Sequence, residues 1–171
     1  MAFSHHALVT DSGGLKTYFQ ASAWVIAVSG GLDSMCLLHA LVLLQAHQHC
    51  PPIRVIHINH NLQPQADQWQ QDVEKKCHHY GLACVSHQVT LCPQEIRQLG
   101  LEAAARNARY DVFKQHLQVN EVLLLGQHAD DQTETLFLRL LRGAGVSGLR
   151  AMPQHRVLGL GRLVRPLLHV R

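Results

Sequence analysis

The sequence has no Cys-x-x-Cys pair. Its five cysteines, Cys36, Cys50, Cys77, Cys84 and Cys92, are odd in number and irregularly spaced. Neither a paired-cysteine metal site nor a disulfide framework fits that pattern, and reduced thiols of a cytoplasmic protein are expected. Charge is also scarce: Asp, Glu, Lys and Arg make up 16% of the 171 residues, against 47% hydrophobic. That balance excludes a disordered chain. No Pro/Ser/Gly-rich linker divides the sequence, so the length suits one domain with a sizeable core. The opening MAFSHHALVTDSGG lacks the basic start and apolar centre of a signal peptide. No apolar run approaches the roughly 20 residues of a membrane span. A net charge of +3 permits a nucleic acid partner without requiring one. Histidine alone is abundant, with 14 copies. The runs at His5–His6, His47–His49 and His78–His79 are scattered over separate elements, so surface histidines are expected rather than a tetrahedral metal centre.

What is present is an alternation. The β-prone apolar runs AWVIAV (23–28), PPIRVIHI (51–58), LACVSHQV (82–89) and EVLLLGQ (121–127) are separated by segments of helical length. These are MCLLHALVLLQAHQ, QADQWQQDVEKKCHHYG closing on Gly81, LEAAARNARYDVFKQHLQ and DDQTETLFLRLLRG. Strands alternating with helices predict an α/β fold: a doubly wound parallel sheet in three α/β/α layers. Ligands then bind beyond the carboxyl ends of the strands, near the switch in strand order.

The tetrapeptide SGGL occurs twice, at 12–15 and 29–32. The first copy follows no clear strand and does not satisfy the Walker pattern; it reads as a turn or the start of a short helix. The second stands between a buried strand and a helix, where loop N–H groups and the helix dipole favour an anion. There Gly30 and Gly31 allow close approach of a phosphate, and Ser29 and Ser34 can add hydroxyls. Asp33 would repel a bare phosphate and suits a phosphate-bound Mg²⁺. The alternative for the same residues is a tight turn with Ser/Asp capping.

VIAVSGGLDS resembles the SGGxDS pyrophosphate loop of the N-type ATP pyrophosphatases, or PP-loop family. Three further segments resemble the tRNA(Ile)-lysidine synthetases within it: HINHNLQPQA (57–66), LEAAARNARYDVF (101–113) and GQHADDQTETLFLRLLRGAGVSGLRAMP (126–153). One departure is Gln63, where that family usually carries arginine. The resemblance runs from about Trp24 to Leu168. It implies an adenine nucleotide α-hydrolase-like sheet of order 3-2-1-4-5, with the SGGLDS and GQHADD loops facing one crevice. It also implies ATP and Mg²⁺ as cofactors, and the anticodon loop of an isoleucine tRNA and free lysine as partners. Oligomeric state is left open, a homodimer included.

On that basis the nucleotide is expected at Ser29, Gly30, Gly31, Leu32, Asp33, Ser34, His57, Asn59, His60 and Gly126. The metal is expected at Asp33, Asp130 and Asp131, and the chemistry at Asp33, His128, Asp131 and Arg106, with Arg109 a further substrate contact. Structural alternatives remain for several. Asp131 with Glu134 fits a capping box, and Glu102 with Arg106 a helix salt bridge. Arg139 and Arg142 complement a helix dipole. The loop RGAGVSG (142–148) suits a lid, an RNA-contacting turn or a helix C-cap. The implied reaction adenylates the first anticodon cytidine and joins lysine to it, releasing pyrophosphate and AMP. The rivals are a tRNA thiolase with the same loop, which generally needs cysteines lacking here, and a non-catalytic nucleotide-binding module. Residues 1–22 read as an N-terminal extension and 23–171 as the catalytic domain. The ending RPLLHVR resembles a point where the family continues, so a partial chain that binds ATP but modifies tRNA poorly alone is expected.

Overall fold

A computed structural model describes residues 5–9, 14–141, 143 and 151–170. Its centre is β1 (Ala23–Ala27), where Trp24, Val25 and Ile26 are all at most 1% exposed. A strand buried on both faces needs side chains of both parities apolar, which AWVIA supplies. Its flanks are β2 (Ile53–Asn59) and β4 (Glu121–Leu125), both parallel to it. Beyond β2 lies β3 (Ala83–Gln88), and beyond β4 lies β6 (Gly161–Val164), again parallel. The hairpin partner β5 (His155–Leu158) closes the edge antiparallel to β6.

The strand order is therefore 3-2-1-4-6-5. The expected order 3-2-1-4-5 is corrected in one respect. The fifth parallel position belongs to β6, and the added antiparallel β5 makes the sheet mixed. Two strands of four residues each carry too little periodic signal to be read in sequence.

Alternation of side chains sorts the core into two layers. Trp24, Ile26 and Val28 pack with Leu37, Leu38, Leu41 and Leu44 of α1 (Leu32–His47) and with Val73 and Cys77 of α2 (Ala66–His79). Val25, Ile56, Leu123, Leu158 and Leu163 face the other way, onto Phe113 and Leu117 at the end of α4 (Leu101–His116). Each buried leucine contributes about 1.5–3 kcal/mol by transfer from water. Helix α2 stops as expected at Gly81, whose φ of 67° carries a Schellman closure: Gly81 N–H donates to His78 O and Leu82 N–H to Cys77 O. A short helix, α3 (Pro93–Leu99), precedes α4 and was not foreseen.

Near the amino terminus, two 3-10 turns, His5–Leu8 and Leu15–Tyr18, bury Leu8 and Leu15 completely against the α1 layer. Gly14 of the first SGGL precedes the second turn at φ 70°, whereas residues 12–13 lie outside the described residues. Of the loop 142–148 only Gly143 is described, so the expectations for that loop and for Arg142 also lie outside them. Among the described residues no helix is long and apolar enough to cross a membrane.

Candidate active site

Strand order reverses between β1 and β4, and their carboxyl ends open into a crevice of about 450 Å³. The SGGLDS loop follows β1. Gly30 takes φ 89°, a conformation that L side chains avoid, and a Cβ there would also stand 3.1 Å from Trp69 Cβ of α2. Gly31 is the residue before α1 in extended conformation, and an added Cβ would meet only Ser29 Oγ, at 3.4 Å. The loop therefore has open space on the Gly31 side. The first N–H groups of α1 have no intrahelical acceptor and form an anion-binding end.

The two serines brace this loop. Ser34 Oγ donates to Gly31 O at 2.9 Å and accepts Ser29 N–H at 3.1 Å; Ser29 Oγ accepts Gly31 N–H at 3.3 Å. Because the one proton of Ser34 is committed, the 3.1 Å contact between the hydroxyls has Ser29 as donor. The result is a closed ring from Gly31 N–H through both hydroxyls to Gly31 O. Ser34 is buried, so its role here is to hold loop geometry.

The GQHADD loop follows β4 and meets the first turn of α1 backbone to backbone. A Cβ on Gly126 would lie 3.1 Å from Ser34 Cα and N and 3.2 Å from Asp33 C. His128 then places Nε2 3.6 Å from Asp33 Oδ2 and 3.5 Å from Asp131 Oδ2. Helix α5 (Ala129–Leu141) begins here with a different cap from the expected Asp131–Glu134 box. Asp131 Oδ2 accepts His128 N–H at 2.8 Å, and His128 Nδ1 accepts Asp130 N–H at 3.3 Å. Asp131 is thus both cap and crevice wall, while the exposed Asp130 carboxylate lies 3.8 Å from His128 Nδ1, outside the crevice lining.

On the β2 side, His57 is buried with Nδ1–H donating to Val28 O at 2.7 Å, which ties the ends of β1 and β2 together. Asn59 spans to α2, donating to Asp67 Oδ1 and Gln70 Oε1 and accepting Asn61 N–H. Both line the crevice while their polar atoms are used within the protein. His60 differs: both ring nitrogens are shielded from solvent and have no hydrogen-bond partner. Burial, the neighbouring Arg109 cation and His57 all lower its pKa, so the ring is neutral at pH 7. His60 lines the crevice, and two buried ring nitrogens without a partner in the protein call for an explanation that a ligand there would supply.

Helix α4 supplies the remaining wall with Ala105, Arg106, Arg109, Tyr110 and Phe113. The expected Glu102–Arg106 salt bridge is not among the described ion pairs; the Arg106 guanidinium instead lies 5.3 Å from the centre of the Tyr110 ring. Of the sequence-derived candidates, Ser29, Gly31, Asp33, Ser34, His57, Asn59, His60, Arg106, Gly126 and Asp131 line one crevice, and so does Gln63. His128 joins them through Asp33, whereas Gly30 and Leu32 are not among the lining residues. Three residues were missed. Trp69 walls the loop side. Gln127 lines the crevice and receives Arg165 Nε–H at 2.5 Å from the buried end of β6. A tryptophan on a polar helix and an arginine at a strand end carry no sequence signal that separates site from surface.

A family described as the PP-loop domain matches residues 5–171. The chain belongs to the PP-loop domain family. Membership implies use of ATP, whose phosphates the open Gly31 side of the loop and the orphaned donors of α1 can receive. The tRNA(Ile)-lysidine synthase of Pseudomonas fluorescens is 49% identical over 156 residues, covering 91% of this chain and 34% of the relative. That of Coxiella burnetii is 45% identical over the same length and shares. The chain thus spans about a third of the curated relatives it matches. Among solved structures, the U34-tRNA thiolase NcsA from Methanococcus maripaludis, with its four-iron, four-sulfur cluster, superposes with a TM-score of 0.71. Its identity is 16%, over 98% of this chain and 59% of that one. At that identity the likeness concerns the fold. No cysteine lines the crevice among the described residues.

Proposed function

We propose that this PP-loop domain is the adenylating part of a tRNA(Ile)-lysidine synthase, a ligase acting in the cytoplasm. In this reading residues 23–171 form the catalytic domain and 1–22 an N-terminal extension. The observation that carries it is the meeting of Asp33 and Asp131 at His128, across loops separated by about a hundred residues, beside the open side of the loop at Gly31.

ATP lies with its base toward β2 and His60 and its phosphates on the SGGLDS loop. The C2 oxygen of the first anticodon cytidine attacks the α-phosphorus, the α–β phosphoanhydride bond breaks, and pyrophosphate leaves with the electron pair. The amine of free lysine then adds at C2, loses a proton, and the C2–O bond breaks to release AMP. Loop amides and Arg106 offset charge growing on the phosphates. The proton of the amine passes to water, while His128, its Nδ1 engaged by Asp130 N–H, turns Nε2–H toward the Asp33 and Asp131 carboxylates. Two carboxylates near one point suit a Mg²⁺ ion, a hard cation that favours oxygen ligands. Asp33 and Asp131 would hold it, and it would neutralise phosphate charge. Among the described residues no three metal-ligating side chains converge without such help.

The test is transfer of labelled lysine to tRNA(Ile) in the presence of ATP, at the low level expected of this chain by itself. Label in the anticodon, absent without ATP and absent when the first anticodon base is not cytidine, is expected. Sulfur incorporation instead of lysine would establish the thiolase reading. ATP binding with no tRNA-dependent turnover would establish a binding module.

A further inference from the structure

Four arginines gather around Tyr110: Arg106 and Arg109 from α4, Arg156 from the exposed β5 edge and Arg165 from the end of β6. The Arg106 and Arg156 guanidinium groups lie 5.3 and 4.6 Å from the centre of the Tyr110 ring. Arg165 Nη2 donates to the Tyr110 hydroxyl at 3.3 Å, and its other donors go to Gln127 Oε1 and Pro153 O. Among the described residues none of the four forms an ion pair with a carboxylate. Arg165 is 2% exposed and still has only neutral partners. A buried cation without a counter-charge is costly unless something else supplies the anion.

The cluster has a direction. Arg106, Arg109 and Tyr110 line the crevice, whereas Arg156 does not. The pairing of Arg156 with Leu163 puts it on the α4 face of the sheet, on the outer strand. A nucleotide held in the crevice reaches the Arg106 end only. An anion that also reaches Arg156 must extend out of the crevice and carry further phosphates. We propose that the Tyr110 platform and Arg156 hold the phosphodiester backbone of the RNA whose base enters the crevice, with Arg165 fixing the ring through its hydroxyl. This inference rests on the tRNA reading above. Arginine stacked on an aromatic ring keeps its donors in plane and free for a phosphate, which suits this task better than a mobile lysine.

The experiment measures tRNA(Ile) affinity by filter binding across a salt series, together with ATP–Mg²⁺ affinity by calorimetry, for the wild type, Arg156→Ala and Arg156→Lys. Loss of one phosphate contact in a single-stranded loop reduces the slope of log K against log salt by about 0.7 and weakens RNA binding roughly tenfold at low salt. ATP affinity stays unchanged. Arg156→Lys keeps the slope, because the charge remains. An unchanged slope and affinity in Arg156→Ala, with the wild type binding RNA, overturns the inference alone. A drop in ATP affinity in place of RNA affinity also overturns it. A wild type that binds no RNA overturns the inference and the tRNA reading together.

Discussion

Replacing Gly31 by alanine separates the needs of the fold from those of a ligand. The residue precedes α1 at φ −74° and ψ 161°, a conformation open to alanine. An added Cβ meets only Ser29 Oγ at 3.4 Å. The unfolded chain loses entropy, which favours the variant by about 0.4–1 kcal/mol, and a weaker N-cap offsets a similar amount. Stability from urea unfolding should therefore stay within about 0.5 kcal/mol of wild type. Binding should not. A methyl group facing the phosphates forces them back by about 1 Å, beyond hydrogen-bond reach of two loop N–H groups. At about 1.5 kcal/mol for each charge-assisted bond, the loss is about 3 kcal/mol, or roughly 100-fold in ATP affinity by calorimetry. Adenosine, which has no phosphate, should bind both proteins equally. A stable Gly31→Ala protein with wild-type ATP affinity would refute phosphate contact at this loop.

Other variants test the frame around the loop. Gly126→Ala drives a methyl into the Ser34 and Asp33 backbone, and should cost about 1–3 kcal/mol in urea unfolding as well as weaken ATP binding; wild-type stability would show that the loops can part freely. His60→Ala removes two orphaned nitrogens, so unfolding should show no loss of stability while ATP affinity falls. Because the His60 pKa is lowered in the fold, the wild type should also lose stability as pH falls below about 6.5 toward the folded value, a component absent from the variant. Arg54→Ala strips the charge partner from Glu121, which bridges β2 and β4 and also accepts Gln118 N–H. Burial raises the Glu121 pKa, but the Arg54 and Gln118 contacts outweigh it and leave it below its usual value. That stabilisation is present above pH of about 4.3 and lost as pH falls through the folded value. The variant should thus be about 3 kcal/mol less stable at pH 7, with the gap narrowing in acid; a gap independent of pH would contradict the pairing.

The parallel sheet was legible because each of its first four strands is a dense apolar run followed by a helix-length segment. The β5–β6 hairpin and α3 were not, since four to seven residues at an edge show no distinct period. Within the site, the motif loops were legible as loops, and SGGLDS was separated from its earlier copy by position after a strand alone. The division of labour inside them was not. Ser34, His57 and Asn59 are residue types that serve equally as ligands or as braces, and their hydrogen bonds make them braces. Conversely, Gly126 read as a nucleotide contact, and its closest neighbours prove to be the Asp33 and Ser34 backbone. Arg165 could be placed neither inside nor outside from its type, because burial of an arginine depends on partners remote in sequence.

An adenylating site is distinguished from other ATP-using sites by which bond of ATP is cut. With ATP–Mg²⁺, lysine and tRNA(Ile), AMP and pyrophosphate should form, dependent on the tRNA and lost in Asp33→Asn. ADP and phosphate as products, or undiminished pyrophosphate release by Asp33→Asn, would contradict an adenylating role.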